Sequence, residues 1–166
     1  MNVTTTRFGE LTVEESKIMV MPEGMLGFEE TRFILLTPQS LAPFCWFQAV
    51  DNPELAFVVV DTQSCITDYS VKLTAEEYEK LGLSDSAEVV FLAVVTMAAD
   101  PFEITVNLQG PIAINPERML AKQIVLEGGK YTTRHLFFDP AMKGAVTAQQ
   151  KAPRDRAVES LSASNS

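Results

Sequence analysis

Histidine occurs once in this chain, at His135, and cysteine twice, at Cys45 and Cys65. One histidine excludes a multi-histidine metal cluster, and the two cysteines share no metal-ligand spacing. The Gly-x-Ser-x-Gly elbow that presents a hydrolase serine is missing, so His135 reads as structural. No glycine-rich phosphate loop is present: Gly24-x-x-Gly27 lacks both the lysine and the strand-to-helix setting. No catalytic residue, metal ligand or cofactor is therefore assigned. Long apolar runs are absent too. Val89 to Ala99 is too short to span a bilayer, and the N-terminus carries no apolar core of a signal peptide. These absences read as a cytoplasmic protein with reduced thiols.

Positive charge is also scarce. The net charge is −9, and it is uneven. Residues 1–140 hold nine Lys/Arg against twenty Asp/Glu, a balance of −11, whereas residues 141–166 hold four against two. An acidic domain repels phosphate backbones, which argues against direct nucleic-acid or anionic-membrane binding and favours encounter with a basic protein. No basic–aromatic interleaving of the kind used to stack single strands is visible.

What is present is β-structure. Short apolar or alternating runs, Ile18–Met21, Phe33–Leu36, Phe44–Val50, Leu55–Val60, Glu88–Met97, Ile104–Leu108 and Ile112–Asn115, are separated by Pro, Gly, Asn and Asp turns every eight to twelve residues. That rhythm predicts a sandwich or barrel. Met119–Leu126 and Lys130–Phe138 are weaker candidates, and Tyr69–Val71 a short one. The clear helix is Thr74–Gly82, where Thr74 and Glu77 form a capping box and Gly82 can end the last turn. Asn107 and Asn115, disfavoured inside strands, are expected to satisfy turn backbone. After Ala141 aromatics vanish, and residues 141–166 are expected to be a mobile tail to a single domain of residues 1–140.

In order along the chain stand Thr6-Arg7-Phe8-Gly9-Glu10, Pro22-Glu23-Gly24 with Gly27-Phe28-Glu29, and Pro43-Phe44-x-Trp46-Phe47-Gln48. Then come Asp51-Asn52-Pro53-x-Leu55-Ala56-Phe57-Val58-Val59, Asp68-Tyr69, Thr105-x-Asn107-Leu108-x-x-Pro111-Ile112-x-Ile114-Asn115, Gln123-x-Val125-Leu126 and Tyr131-x-x-Arg134-His135. With this order and spacing the chain resembles the flagellar assembly factor FliW. The resemblance implies a mainly all-β fold, a compact, partly open β-barrel of short antiparallel strands with one short helix. It implies a non-enzymatic role: binding CsrA, a small basic RNA-binding translational repressor, relieving repression of flagellin synthesis, and binding flagellin itself. A monomer is expected. Phe8, Glu10, Glu29, Trp46, Gln48, Asp51 and Asp61 are the candidate partner-binding residues, with acids steering and aromatics anchoring. The competing readings are a small ligand-binding or hydrolytic barrel, which needs a pocket with convergent polar groups, and an oligomeric scaffold, which needs a large apolar face.

Overall fold

The chain order of the elements follows the turn signals closely. In a computed structural model, described for residues 1–84, 87–138 and 156–163, the strands are β1 (Asn2–Thr5), β2 (Gly9–Thr12), β3 (Met19–Val20), β4 (Arg32–Leu36), β5 (Cys45–Ala49) and β6 (Ala56–Asp61). Helix α1 (Ala75–Lys80) precedes β7 (Val90–Thr96), β8 (Thr105–Val106), β9 (Ile112–Asn115), β10 (Leu120–Gln123) and β11 (His135–Leu136), and a second short helix, α2, spans Arg156–Leu161. Strands β7, β6, β5, β4, β3, β10 and β9 run in that spatial order, and β9 pairs back onto β7. The result is a closed seven-stranded ring, where the resemblance implied a partly open one. One link also departs from the antiparallel expectation: β3 and β10 are parallel and share the single pair Val20–Leu120. Tyr69–Val71 forms no strand. The Tyr69 hydroxyl instead donates to the Leu108 carbonyl at 2.6 Å.

Period-two alternation decides which side chains fill the ring. On β4, Phe33 and Leu35 point inward, and on β5 so do Cys45, Phe47 and Ala49. The Phe33 and Phe47 rings stack at 4.5 Å with planes 5° apart. Met19, Met21, Val59, Leu92, Ile112 and Ile114 complete an interior that is filled with apolar side chains. The opposite faces are covered as well. The β1–β2 hairpin lays Val3 and Val13 on Ile34, Leu36 and Trp46. Leu73 and Leu81, which flank helix α1, pack with Ala113 and Ile124. The capping box of α1 forms as the sequence predicts, with Thr74 and Glu77 exchanging hydrogen bonds.

Asn115 at the end of β9 and Asn107 just after β8 both serve turns. Asn107 Oδ1 accepts from the Gln109 and Gly110 amides, and Asn115 Oδ1 from those of Glu117 and Arg118. Asn115 Nδ2 also donates to the Leu81 carbonyl at 2.8 Å, tying the end of α1 to the ring.

Residues 156–163, within the expected tail, lie against the barrel. Val158 and Leu161 on α2 are buried in the ring's own core cluster, and Ser162 forms a parallel bridge to Leu35. Two apolar residues three positions apart suffice to seat one helical turn, which average composition over the tail conceals. Residues 141–155 and 164–166 of that tail lie outside the described residues.

Candidate protein-binding surface

Three surface segments meet at one end of the barrel: the β1–β2 turn, the loop between β3 and β4, and the β5–β6 turn. The β1–β2 turn is held by Thr5, whose Oγ1 donates to the Gly9 carbonyl and accepts from the Phe8 amide, each at 2.8 Å. It docks on the β5–β6 turn through the Thr6 amide, which donates to the Pro53 carbonyl at 2.9 Å. The Phe8 ring then stands edge-on to Trp46 at 5.9 Å, and the Arg7 guanidinium lies 4.7 Å over the same indole. Trp46 is therefore an anchored platform, half-buried against Ile34 and Leu36, with a cation on its face.

The β3–β4 loop and the start of β4 join the β5–β6 turn through one acid and one cation. Asn52 Nδ2 donates to Glu30 Oε2 at 2.9 Å. Arg32 makes a bidentate pair with Asp51, Nε to Oδ2 at 2.9 Å and a terminal nitrogen to Oδ1 at 2.6 Å. The Arg32 hydrogen bond holds the Asp51 carboxyl below its ordinary range, and the Asn52 amide does the same for Glu30. Both groups keep their negative charge well into acid. Glu10 and Glu29 are exposed and have no ion-pair partner among the described residues.

The loop also carries two exposed apolar side chains. Leu26 is 65% and Phe28 43% exposed, although the Phe28 ring still touches Phe57 edge-on at 5.1 Å. Gln123 Oε1 accepts from the Leu26 amide at 2.9 Å, which fixes the loop to β10. Gly24 permits the fold-back: its φ is +66°, and a Cβ there would meet the Glu30 carbonyl oxygen at 2.9 Å. Gly24→Ala is thus expected to cost about 1–3 kcal/mol and to displace Phe28 and Glu29. Chemical denaturation of the variant checks the first figure.

The seven sequence candidates divide. Phe8, Glu10, Glu29, Trp46 and Asp51 lie on or beside these three segments. Gln48 and Asp61 are instead buried side chains. Gln48 is fully buried under the β5–β6 turn, where its Nε2 faces the carbonyls of Ala49, Asn52, Pro53 and Leu55 at 3.1–3.3 Å. Asp61 is buried at the far end of β6, where it accepts from the Gln63 amide and caps a short turn. Burial, with the Asp61 charge adding to it, pushes the neighbouring Cys65 thiol up to about 12, so that thiol is inert at neutral pH. Sequence reasoning missed Arg7, Leu26, Glu30, Arg32 and Asn52. Only Leu26 had a local signal, since it stands between the two glycines of the loop.

The model of the FliW protein family matches residues 2–137. The chain belongs to the FliW family. A flagellar assembly factor FliW of Geobacter sulfurreducens is 70% identical over 156 residues, 94% of each chain. One of Geotalea uraniireducens is 64% identical over 143 residues, 86% of this chain and 88% of the relative. The crystal structure of a flagellar assembly factor FliW superposes with a TM-score of 0.76 at 32% identity, covering 84% of this chain and 98% of the other. The mostly β barrel is thus the FliW fold. The FliW match ends before α2, so that helix is an addition to the part the family model describes. Among the described residues no helix is long and apolar enough to cross a membrane, and no group of three or more His, Cys, Asp or Glu could hold a metal ion.

Proposed function

We propose that this member of the FliW family is a non-enzymatic cytoplasmic assembly factor that acts by occupying protein partners. CsrA is the first, and sequestering it relieves repression of flagellin translation; flagellin is the second. The observation that carries the reading is the set of three linked surface segments that carry the acids Glu10, Glu29 and Asp51 together with the Phe8 ring, which packs on Trp46. A basic repressor is drawn to such a surface at long range, and half-buried aromatics supply the short-range contact. The names carried by the relatives, all flagellar assembly factors, support the flagellar setting. The apolar filling of the ring leaves no room for a ligand inside the barrel, which favours this reading over a barrel that binds a small molecule in its interior.

Isothermal titration with CsrA at two salt concentrations tests it. Binding that weakens at the higher salt is the expected result. Salt-insensitive binding removes the electrostatic part and leaves the partner. No binding at either salt, followed by none to flagellin, overturns the assignment of both partners.

A further inference from the structure

The chain keeps the pairing of β10 beyond Gln123. The Ile124 amide donates to the Pro111 carbonyl and the Leu126 amide to the Gln109 carbonyl, each at 2.8 Å. In such a ladder successive residues turn their backbone groups to opposite sides. The Val125 amide and carbonyl therefore face away from residues 109–111, and they have no backbone partner among the described residues. The Val125 side chain is 58% exposed as well. A groove of about 520 Å³ runs along this stretch, and the consecutive residues Ile124, Val125, Leu126 and Glu127 all line it. Side chains alternate between the two faces of an extended segment. A groove that meets four in succession thus follows the segment's edge and not one face.

The rest of the lining comes from residues 70–77, which lead into α1, and from Lys130 and Tyr131. These two parts are braced to each other, because the Tyr131 hydroxyl accepts from the Ser70 amide at 3.1 Å. The capping box fixes Thr74 and Glu77. The groove is therefore formed before anything enters it, which lowers the cost of binding. Its charges set it apart from the domain around it. Residues 1–140 hold only nine Lys/Arg against twenty Asp/Glu. Arg32, Lys80 and Lys122 are in ion pairs. Lys72 and Lys130 both line the groove, and neither has an ion-pair partner among the described residues. Lys130 Nζ lies 5.3 Å from the centre of the Tyr131 ring. Of the two lining acids, Glu77 accepts from the Thr74 amide through Oε1, and Glu127 stands exposed.

We propose that this groove binds an extended segment of a partner protein in which aliphatic and acidic side chains alternate. Three observations select that occupant. The unpaired backbone of Val125 selects a peptide, which adds to the free edge as a further strand. The lining of Ile124, Val125 and Leu126 selects aliphatic side chains. Lys72 and Lys130 select carboxylates. At physiological ionic strength exposed charges farther than about 8 Å are largely screened, so these two lysines outweigh the remote acids of the domain. None of the lining residues belongs to the β1–β2 turn, the β3–β4 loop or the β5–β6 turn. The inference goes beyond the proposed function and does not rest on it.

The test titrates the full-length chain into a fluorescein-labelled peptide, Asp-Val-Asp-Leu-Asp-Val-Asp with blocked ends, at physiological ionic strength, and reads anisotropy. Binding is expected. Lys72→Glu/Lys130→Glu is expected to weaken it about tenfold or more, and Glu127→Lys to strengthen it about threefold. All three side chains are exposed, so the urea midpoints are expected to stay in place. A peptide with serine at its aliphatic positions is expected not to bind. Two further peptides carry N-methyl groups on the aliphatic residues or on the aspartates. Only one of these sets faces Val125, so the two are expected to bind unequally. No binding of the first peptide, or equal affinity of the lysine variant, overturns the proposal. Equal binding of the two N-methylated peptides overturns strand addition. A dimer in sizing chromatography that the first peptide dissociates assigns the groove to a second copy of the chain and also overturns the proposal. CsrA and flagellin enter none of these measurements, so a failure here is distinct from a failure of the proposed function.

Discussion

Gln48→Glu is expected to destabilise the protein by about 3–4 kcal/mol at pH 7, and the loss is expected to shrink as the solution is acidified. The amide nitrogen of Gln48 stands among four backbone carbonyls, and its Oε1 is buried with no partner. Only a donor is tolerated there. A carboxylate in its place would face carbonyl oxygens without solvent, so the folded state must hold the acid protonated. Keeping a group of ordinary pKa about 4.3 protonated at pH 7 costs about 3.7 kcal/mol, close to 1.4 kcal/mol for each pH unit. The sign follows from a folded pKa raised above the unfolded one. The variant's stability is fully present below about pH 4 and is lost as the pH rises toward the folded value. Gln48→Met is the control: it deletes the hydrogen bonds for about 1–3 kcal/mol without any pH dependence. Urea unfolding of both variants between pH 4 and 8 measures the difference. Parallel pH profiles would show that the side chain can swing to solvent and that the cage is not closed.

Glu10→Lys/Glu29→Lys is expected to slow association with CsrA about tenfold at low salt, with dissociation changed less than threefold. The two carboxylates are exposed and unpaired among the described residues, so their reversal alters the field without opening a packed contact. Long-range steering raises association rates by factors of 10 to 10³ and fades with ionic strength. Rim charges act mainly through that encounter step. Stopped-flow measurement at low and high salt separates the two rates, and the unfolding midpoint should stay in place. An association rate that does not move at low salt would remove these acids from the interface. Asp51 is a poorer choice for reversal, because losing its bidentate pair with Arg32 also disturbs the β5–β6 turn.

The barrel was legible because its strands obey a two-residue period between strong turn residues. Trp46 and Phe47 fall on opposite faces of β5 as the alternation requires, and Thr74 and Glu77 announce α1 without help from the rest of the chain. Long-range features were not legible. Nothing near Val20 indicates a parallel partner at Leu120, since register across the ring is set by closure and not by neighbours. Gln48 misled for a related reason. A polar residue on the outward face of a strand reads as exposed, and only the turn folding over it makes it internal. The turn's carbonyls need a donor, and the strand beneath supplies one. Asp61 is the same lesson in a smaller form, an acid kept inside because a turn amide requires an acceptor. Val158 and Leu161 are two apolar residues that an average over the tail's polar surroundings conceals.

The seam between Val20 and Leu120 has a consequence for biosynthesis. A ribosome delivers Val20 a hundred residues before Leu120, so the hoop cannot shut until β10 has followed. Until then β4 to β6 form an open meander whose inner face, Phe33, Phe47 and Val59, is wet. Non-local closure of this kind is slow, and nascent chains with unclosed sheets are the ones that aggregate. A barrel built this way is complete only once β10 has joined β3.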